Sequence, residues 1–207
     1  MTKVNFIHIP KNAGTSIEEY CNNNQKLSYN GHDSKISSLD NQMIIIRDPY
    51  SRFCSAVKYA IENYSNSEKI RKIINAGLKT PSQWAEVWGD KSHKYHNLII
   101  DEVTNHEHKI DSVKIPLKWT YTPQHYWINE NKLKYVVPFD DMETYLVHRF
   151  GGKVPNNNVS TNRRRYKLSK KAKEFLKKMY KKDFEFIEKY SNFQVSTWYL
   201  DSNVCDY

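Results

Sequence analysis

A chain of 207 residues with 39% hydrophobic and 14% aromatic content can bury one sizeable core, and 15 Tyr with 5 Trp exclude a disordered chain. Lys and Arg number 32 against 23 Asp and Glu, a net charge of +9 that suits anionic ligands without choosing among nucleotides, nucleic acid and acidic polysaccharide. Cys21, Cys54 and Cys205 show no C-x-x-C spacing, which disfavours a disulfide scaffold and a zinc site, and the apolar runs are too short to cross a membrane. The expectation is one domain over residues 1–207, unsecreted and in a reducing compartment.

In chain order, the apolar run Phe6-Ile7-His8-Ile9 predicts a strand that stops at Pro10, and a polar loop then leads into a short helix from Thr15 to Asn23. Residues 22–41 are polar, broken at Gly31-His32-Asp33 near the expected end of a second strand. The fully apolar Met43 to Ile46 reads as a buried parallel strand ending at Arg47-Asp48-Pro49. Beyond it Phe53, Ala56, Val57, Ala60, Ile61 and Tyr64 keep a helical period that leaves Arg52, Ser55 and Tyr59 off the apolar face. Residues 65–133 hold shorter elements around Trp84, Trp88, Trp119 and Trp127, with no repeat. "KYVVPF" at 134–139 predicts another strand, followed by a helix from Asp140 to Phe150. One long amphipathic helix is expected over the stripe from Leu168 through Phe175, Leu176, Met179, Phe186 and Ile187 to Tyr190. Strands alternating with helices imply an α/β fold, a parallel sheet flanked by helices, with ligands beyond the carboxyl ends of the strands.

A nucleotide-triphosphate loop would read G-x-x-x-x-G-K-[ST], but here Lys11 precedes Thr15 by four residues and Gly14 is the single loop glycine. Backbone N–H groups of residues 13–16 at a helix start still make an anion site. Arg47, at a strand end and eight residues before the helical Ser55, makes a pocket for a phosphate dianion. "MIIIRD" also imitates the apolar run plus Asp that holds magnesium in nucleotide hydrolases, although the Arg before Asp48 and the missing G-K-[ST] count against that.

"HIPKNAGTS" followed by "IIIRDPYSRFCSAV" resembles the two cofactor motifs of sulfotransferases that use 3'-phosphoadenosine 5'-phosphosulfate, closest in motif to the Golgi carbohydrate enzymes of the uronyl 2-O type. The resemblance continues weakly through "TPQHYW", "YVVPFDDMETYL" and the last helix. It implies a P-loop nucleotide-kinase-like sheet and assigns Lys11, Asn12, Ala13, Gly14, Thr15 and Ser16 to the 5'-phosphosulfate, and Arg47 and Ser55 to the 3'-phosphate. It further implies His32, in "YNGHDS", as catalytic base beside Asp33, and Ser160 and Arg163, in "NNNVSTNRRR", as contacts of a loop closing over the nucleotide. Lys11 can also reach the oxygen bridging phosphate and sulfate, where charge accumulates as that bond breaks. His93, His96, His106 and His108 carry no motif, and no metal is implied.

The function expected is transfer of a sulfuryl group to a hydroxyl, on a carbohydrate or another acceptor, an acidic one included. The product would be adenosine 3',5'-bisphosphate. The family's membrane anchor has no counterpart here, which points to a bacterial or viral cytoplasmic enzyme with no nucleic-acid partner. Two rivals stand beside this: a P-loop small-molecule kinase needing magnesium, and a non-enzymatic basic module that binds nucleic acid with a steep salt slope.

Overall fold

The protein's structure, a computed structural model, describes residues 3–31, 36–104, 108–155 and 167–190. The chain opens with β1 (Val4–Ile7), α1 (Gly14–Asn22), β2 (Leu27–Asn30) and β3 (Gln42–Ile46). Four helices follow: α2 (Pro49–Asn63), α3 (Glu68–Asn75), α4 (Pro81–Gly89) and α5 (His96–Thr104). An antiparallel hairpin of β4 (His108–Ile110) and β5 (Val113–Ile115) leads to β6 (Leu133–Pro138), α6 (Met142–Phe150) and α7 (Lys170–Met179).

β2, β1, β3 and β6 form one parallel sheet in that order. Phe6 stands between Tyr29 and Met43, and Ile44 beside Val136, so β1 and β3 are interior strands. Their alternate residues serve opposite faces, as the period of two requires. Phe6, Met43 and Ile45 pack with Ile17 and Tyr20 of α1 and Leu146 and Phe150 of α6. Ile7, Ile44 and Ile46 pack with Phe53 and Val57 of α2, Trp84 of α4, Ile99 of α5 and Leu176 of α7. Helices therefore cover both faces, which is why β3 reads as an unbroken apolar run from Met43 to Ile46 and β1 is apolar but for Asn5. The chain leaves β1 toward β2 on one side and places β3 on the other, so a topological switch lies between the carboxyl ends of β1 and β3.

The helix starts are chemically specified. Asp48 accepts from the Ser51 N–H at 2.7 Å with Pro49 in the first turn of α2, and Thr80 and Gln83 form a capping box on α4. The middle segment is a helical layer held by tryptophans: Trp84 and Trp127 are buried, and Trp84 Nε1 donates to Leu78 O at 2.9 Å. The last helix differs from the single rod expected from its stripe. α7 ends at Met179 with Tyr180 as its C-cap, and helical backbone resumes over residues 181–190. The break accompanies two buried polar contacts: Tyr180 donates its hydroxyl to Tyr121 O at 2.9 Å, and Asp183 is 1% exposed. Among the described residues, no helix is long and apolar enough to cross a membrane.

Candidate active site

The loop after β1 bends through two left-handed residues, Lys11 at φ 68° and Ala13 at φ 63°. Such backbone is uncommon for residues with a Cβ and costs of order 1 kcal/mol or more each, so the surroundings must hold it. Successive N–H groups in such turns converge toward a common point, an anion-binding concavity. α1 begins directly after, with no side chain capping its start at Ala13. Thr15 is exposed at that start while Ser16 is buried.

Gly14 serves a purpose other than loop flexibility. A Cβ built there would lie 1.6 Å from His8 Nε2, so the imidazole occupies the space a side chain would fill. His8, at the end of β1, shares a 2.6 Å hydrogen bond through Nδ1 with the Tyr29 hydroxyl of β2. Burial pushes the Tyr29 phenol up to about 12, so it stays protonated. In the tautomer whose Nδ1–H donates to Tyr29, Nε2 carries the lone pair at the start of α1.

Buried amides lock the two loops together. Asn12 donates to Ile45 O at 2.7 Å and to Gln124 Oε1 at 2.6 Å. Gln124 accepts from the Arg47 N–H at 3.1 Å and donates to Arg47 O at 2.8 Å. Asp183 in turn accepts from the backbone N–H of Gln124 at 2.7 Å and of His125 at 2.9 Å. Arg52 donates through Nε to Pro10 O at 2.9 Å, and Arg47 through Nη1 to Lys11 O at 3.0 Å.

Three cations meet at this junction. Lys11 carries its ammonium 3.8 Å from the centroid of the Tyr59 ring, and burial, then Arg47, then Arg52 lower it to about 8, with Glu62 opposing. Arg47 lies 4.2 Å over Phe139 and donates through Nε to Ser51 Oγ at 2.8 Å. Burial lowers both Arg47 and Arg52, and Arg52 is 1% exposed. Among the described residues, no carboxylate forms an ion pair with any of the three. Asp140 and Asp48 act on Arg47, Asp183 on Arg52 and Glu62 on Lys11 through space without an ion pair, so the cluster is only partly balanced and can accommodate an anion. Burial pushes the nearby Cys54 thiol up to about 11 despite Arg47, so it stays a thiol and no nucleophile.

The structure thus brings together Lys11, Ala13, Gly14, Ser16 and Arg47 from the residues singled out in the sequence. Asn12 belongs to the locking network, with its side chain turned inward. Ser55 stands half-buried one turn beyond Ser51, and Ser51 is the hydroxyl bonded to Arg47. His32, Asp33, Ser160 and Arg163 lie outside the described residues. His8, Arg52, Gln124 and Asp183 were not singled out; an imidazole three residues before Lys11 at a strand end was the one local signal among them. Among the described residues, no group of three or more His, Cys, Asp or Glu side chains is arranged to hold a metal ion. Comparison with family models, curated proteins and solved structures yields no match, so the site stands on its own residues and geometry.

Proposed function

We propose that the chain is a sulfotransferase with a nucleotide-kinase-like fold, moving a sulfuryl group from 3'-phosphoadenosine 5'-phosphosulfate to a hydroxyl acceptor, a carbohydrate in the first instance. The observation that carries the reading is the convergence of Lys11, Arg47 and Arg52, without an ion-paired carboxylate among the described residues, beside the uncapped start of α1. The turn, the helix start and Lys11 would take the 5'-phosphosulfate. Arg47, with Ser51 beside it and Ser55 one turn on, would take the 3'-phosphate.

The reaction is an in-line displacement. The acceptor oxygen forms a bond to sulfur as the bond from sulfur to the bridging oxygen breaks. That electron pair leaves on the 5'-phosphate of adenosine 3',5'-bisphosphate, where Lys11 stabilises it, and the hydroxyl proton passes to a base. His32 is the base in this proposal, and His8 Nε2 is a second imidazole at the helix start.

The kinase reading would enlist Asp48 for magnesium, but that carboxylate caps α2 through Ser51 N–H, which favours the sulfotransferase. Adenosine 3',5'-bisphosphate should raise the melting temperature well beyond 5'-AMP at equal concentration, and Arg47→Met should abolish the difference. Equal shifts from both nucleotides would refute the 3'-phosphate site.

A further inference from the structure

A cavity of about 460 Å³ opens beside the cation cluster, lined by Tyr64 and Trp119 together with Lys69, Glu102, His108 and Lys118. Its volume lies in the range of small-molecule sites. Two contacts place it next to the loop after β1. The Tyr59 ring, which receives the Lys11 ammonium, meets the Tyr64 ring edge-on at 5.7 Å between centroids. Arg52, bonded to Pro10 O, also reaches Trp119 O through Nη2 at 3.5 Å.

The charges in this cavity are already matched. Lys118 holds Glu102 at 2.7 Å, with Glu102 5% exposed, and Lys69 holds Asp101 at 2.9 Å. An acidic ligand that drew Lys118 away would leave Glu102 buried and unpaired, which is strongly unfavourable, and one that took Lys69 would have to displace Asp101. A neutral ring bearing hydroxyls meets no such penalty, because the intact pair can both donate and accept hydrogen bonds. The rings of Tyr64, 44% exposed, and Trp119, 39% exposed, supply flat apolar faces for its C–H side.

Resting on the reading of the cation cluster as the donor site, we propose that this cavity is the acceptor site and that it takes an uncharged sugar ring. The net positive charge of the chain then serves the donor nucleotide, and the acceptor is chosen by aromatic stacking and hydroxyl hydrogen bonds.

The test titrates the intact protein, by saturation-transfer NMR, with the methyl glycosides of glucose, galactose and N-acetylglucosamine and with methyl glucuronide. At least one neutral glycoside should bind and outcompete the glucuronide, and Trp119→Ala should weaken it about tenfold or more. Tyr64→Phe, which keeps the ring, should bind as the wild type does. The affinity for adenosine 3',5'-bisphosphate should be unchanged in both variants, which reports that they are folded. Tighter binding of the glucuronide, no binding of any neutral glycoside, or binding indifferent to Trp119→Ala overturns the proposal. Failure of the bisphosphate to outdo 5'-AMP refutes the donor reading separately, since the sugar titration needs no nucleotide.

Discussion

The two ends of the sheet treat positive charge in opposite ways. At the amino ends of β3 and β6, Lys132 is partly exposed and ion-paired with Asp40, in the ordinary manner of a surface. At the carboxyl ends of β1 and β3, Lys11, Arg47 and Arg52 are drawn away from water and toward one another, and Lys11 is driven down to about 8 as a result. The hydrogen bonds follow the same division. Asn5 donates to Asp40 O in an exposed contact at one end, whereas Asn12, Gln124 and Asp183 build a buried network at the other. Like charges brought together in a low dielectric destabilise a fold, and here the nearby Asp140, Asp183 and Glu62 act only through space, with no ion pair among the described residues. On the proposed reading, an anion completes the charge balance at the carboxyl end.

The sharpest way to break this comparison is to remove the proton acceptor that the carboxyl end would need. His32→Ala should lower sulfuryl transfer by about 10²- to 10⁴-fold, read with labelled phosphosulfate, while adenosine 3',5'-bisphosphate binds as before. A loss of that size in His8→Ala, with His32→Ala near wild type, would move the role to the imidazole over Gly14. Wild-type rates with both variants would remove general-base catalysis by these histidines altogether.

How far such residues could be read in advance depended on the range of the interactions that fix them. β1 and β3 were legible because strands buried on both faces are mostly apolar, β6, an edge strand, by its short run Tyr135-Val136-Val137, and the loops after β1 and β3 because their polar residues interrupt those runs abruptly. Gln124 was not legible. It joins loops from partners 77 and 112 residues away, and nothing local in "TPQHYW" announces that. Asp183 was hidden within an amphipathic stripe that continues across Tyr180, so period alone gave one helix where burial of two polar side chains makes a break. Arg52 stood off the apolar face of α2, yet it is buried, and Pro10 O and Trp119 O make that burial tolerable.

A smaller effect sharpens the contrast through pH. Lys11 must be charged to hold a phosphosulfate, and in the free protein it loses its proton near pH 8. Binding of adenosine 3',5'-bisphosphate should therefore weaken above about pH 8, by up to tenfold per unit, and take up a proton there. Calorimetry at pH 9 in two buffers of different ionisation enthalpy measures that uptake directly. The Lys11→Met protein should show less uptake and a flatter pH profile. Identical uptake in wild type and variant would mean that Lys11 does not face the ligand.

The smallest effect is on the stability of the unliganded protein, and its sign is what matters. The folded-state pKa of Lys11 lies below its ordinary 10.5, so between about pH 8 and 10.5 the unfolded chain binds the extra proton. Stability should therefore gain from this group as pH rises through that window, and at neutral pH the charged Lys11 is a burden on the fold. Lys11→Met should leave the unliganded protein as stable as the wild type at pH 7, or more stable, because it removes repulsion from Arg47 and Arg52 while keeping the contact with the Tyr59 ring. Lys132→Met, at the opposite end of the sheet, removes an attraction to Asp40 and should cost up to about 1 kcal/mol. Urea denaturation of both variants at pH 7, without nucleotide, checks the pair. A Lys11→Met protein less stable than Lys132→Met would mean that Lys11 is tied down in the empty fold and that the carboxyl end is no more prepared for an anion than the amino end.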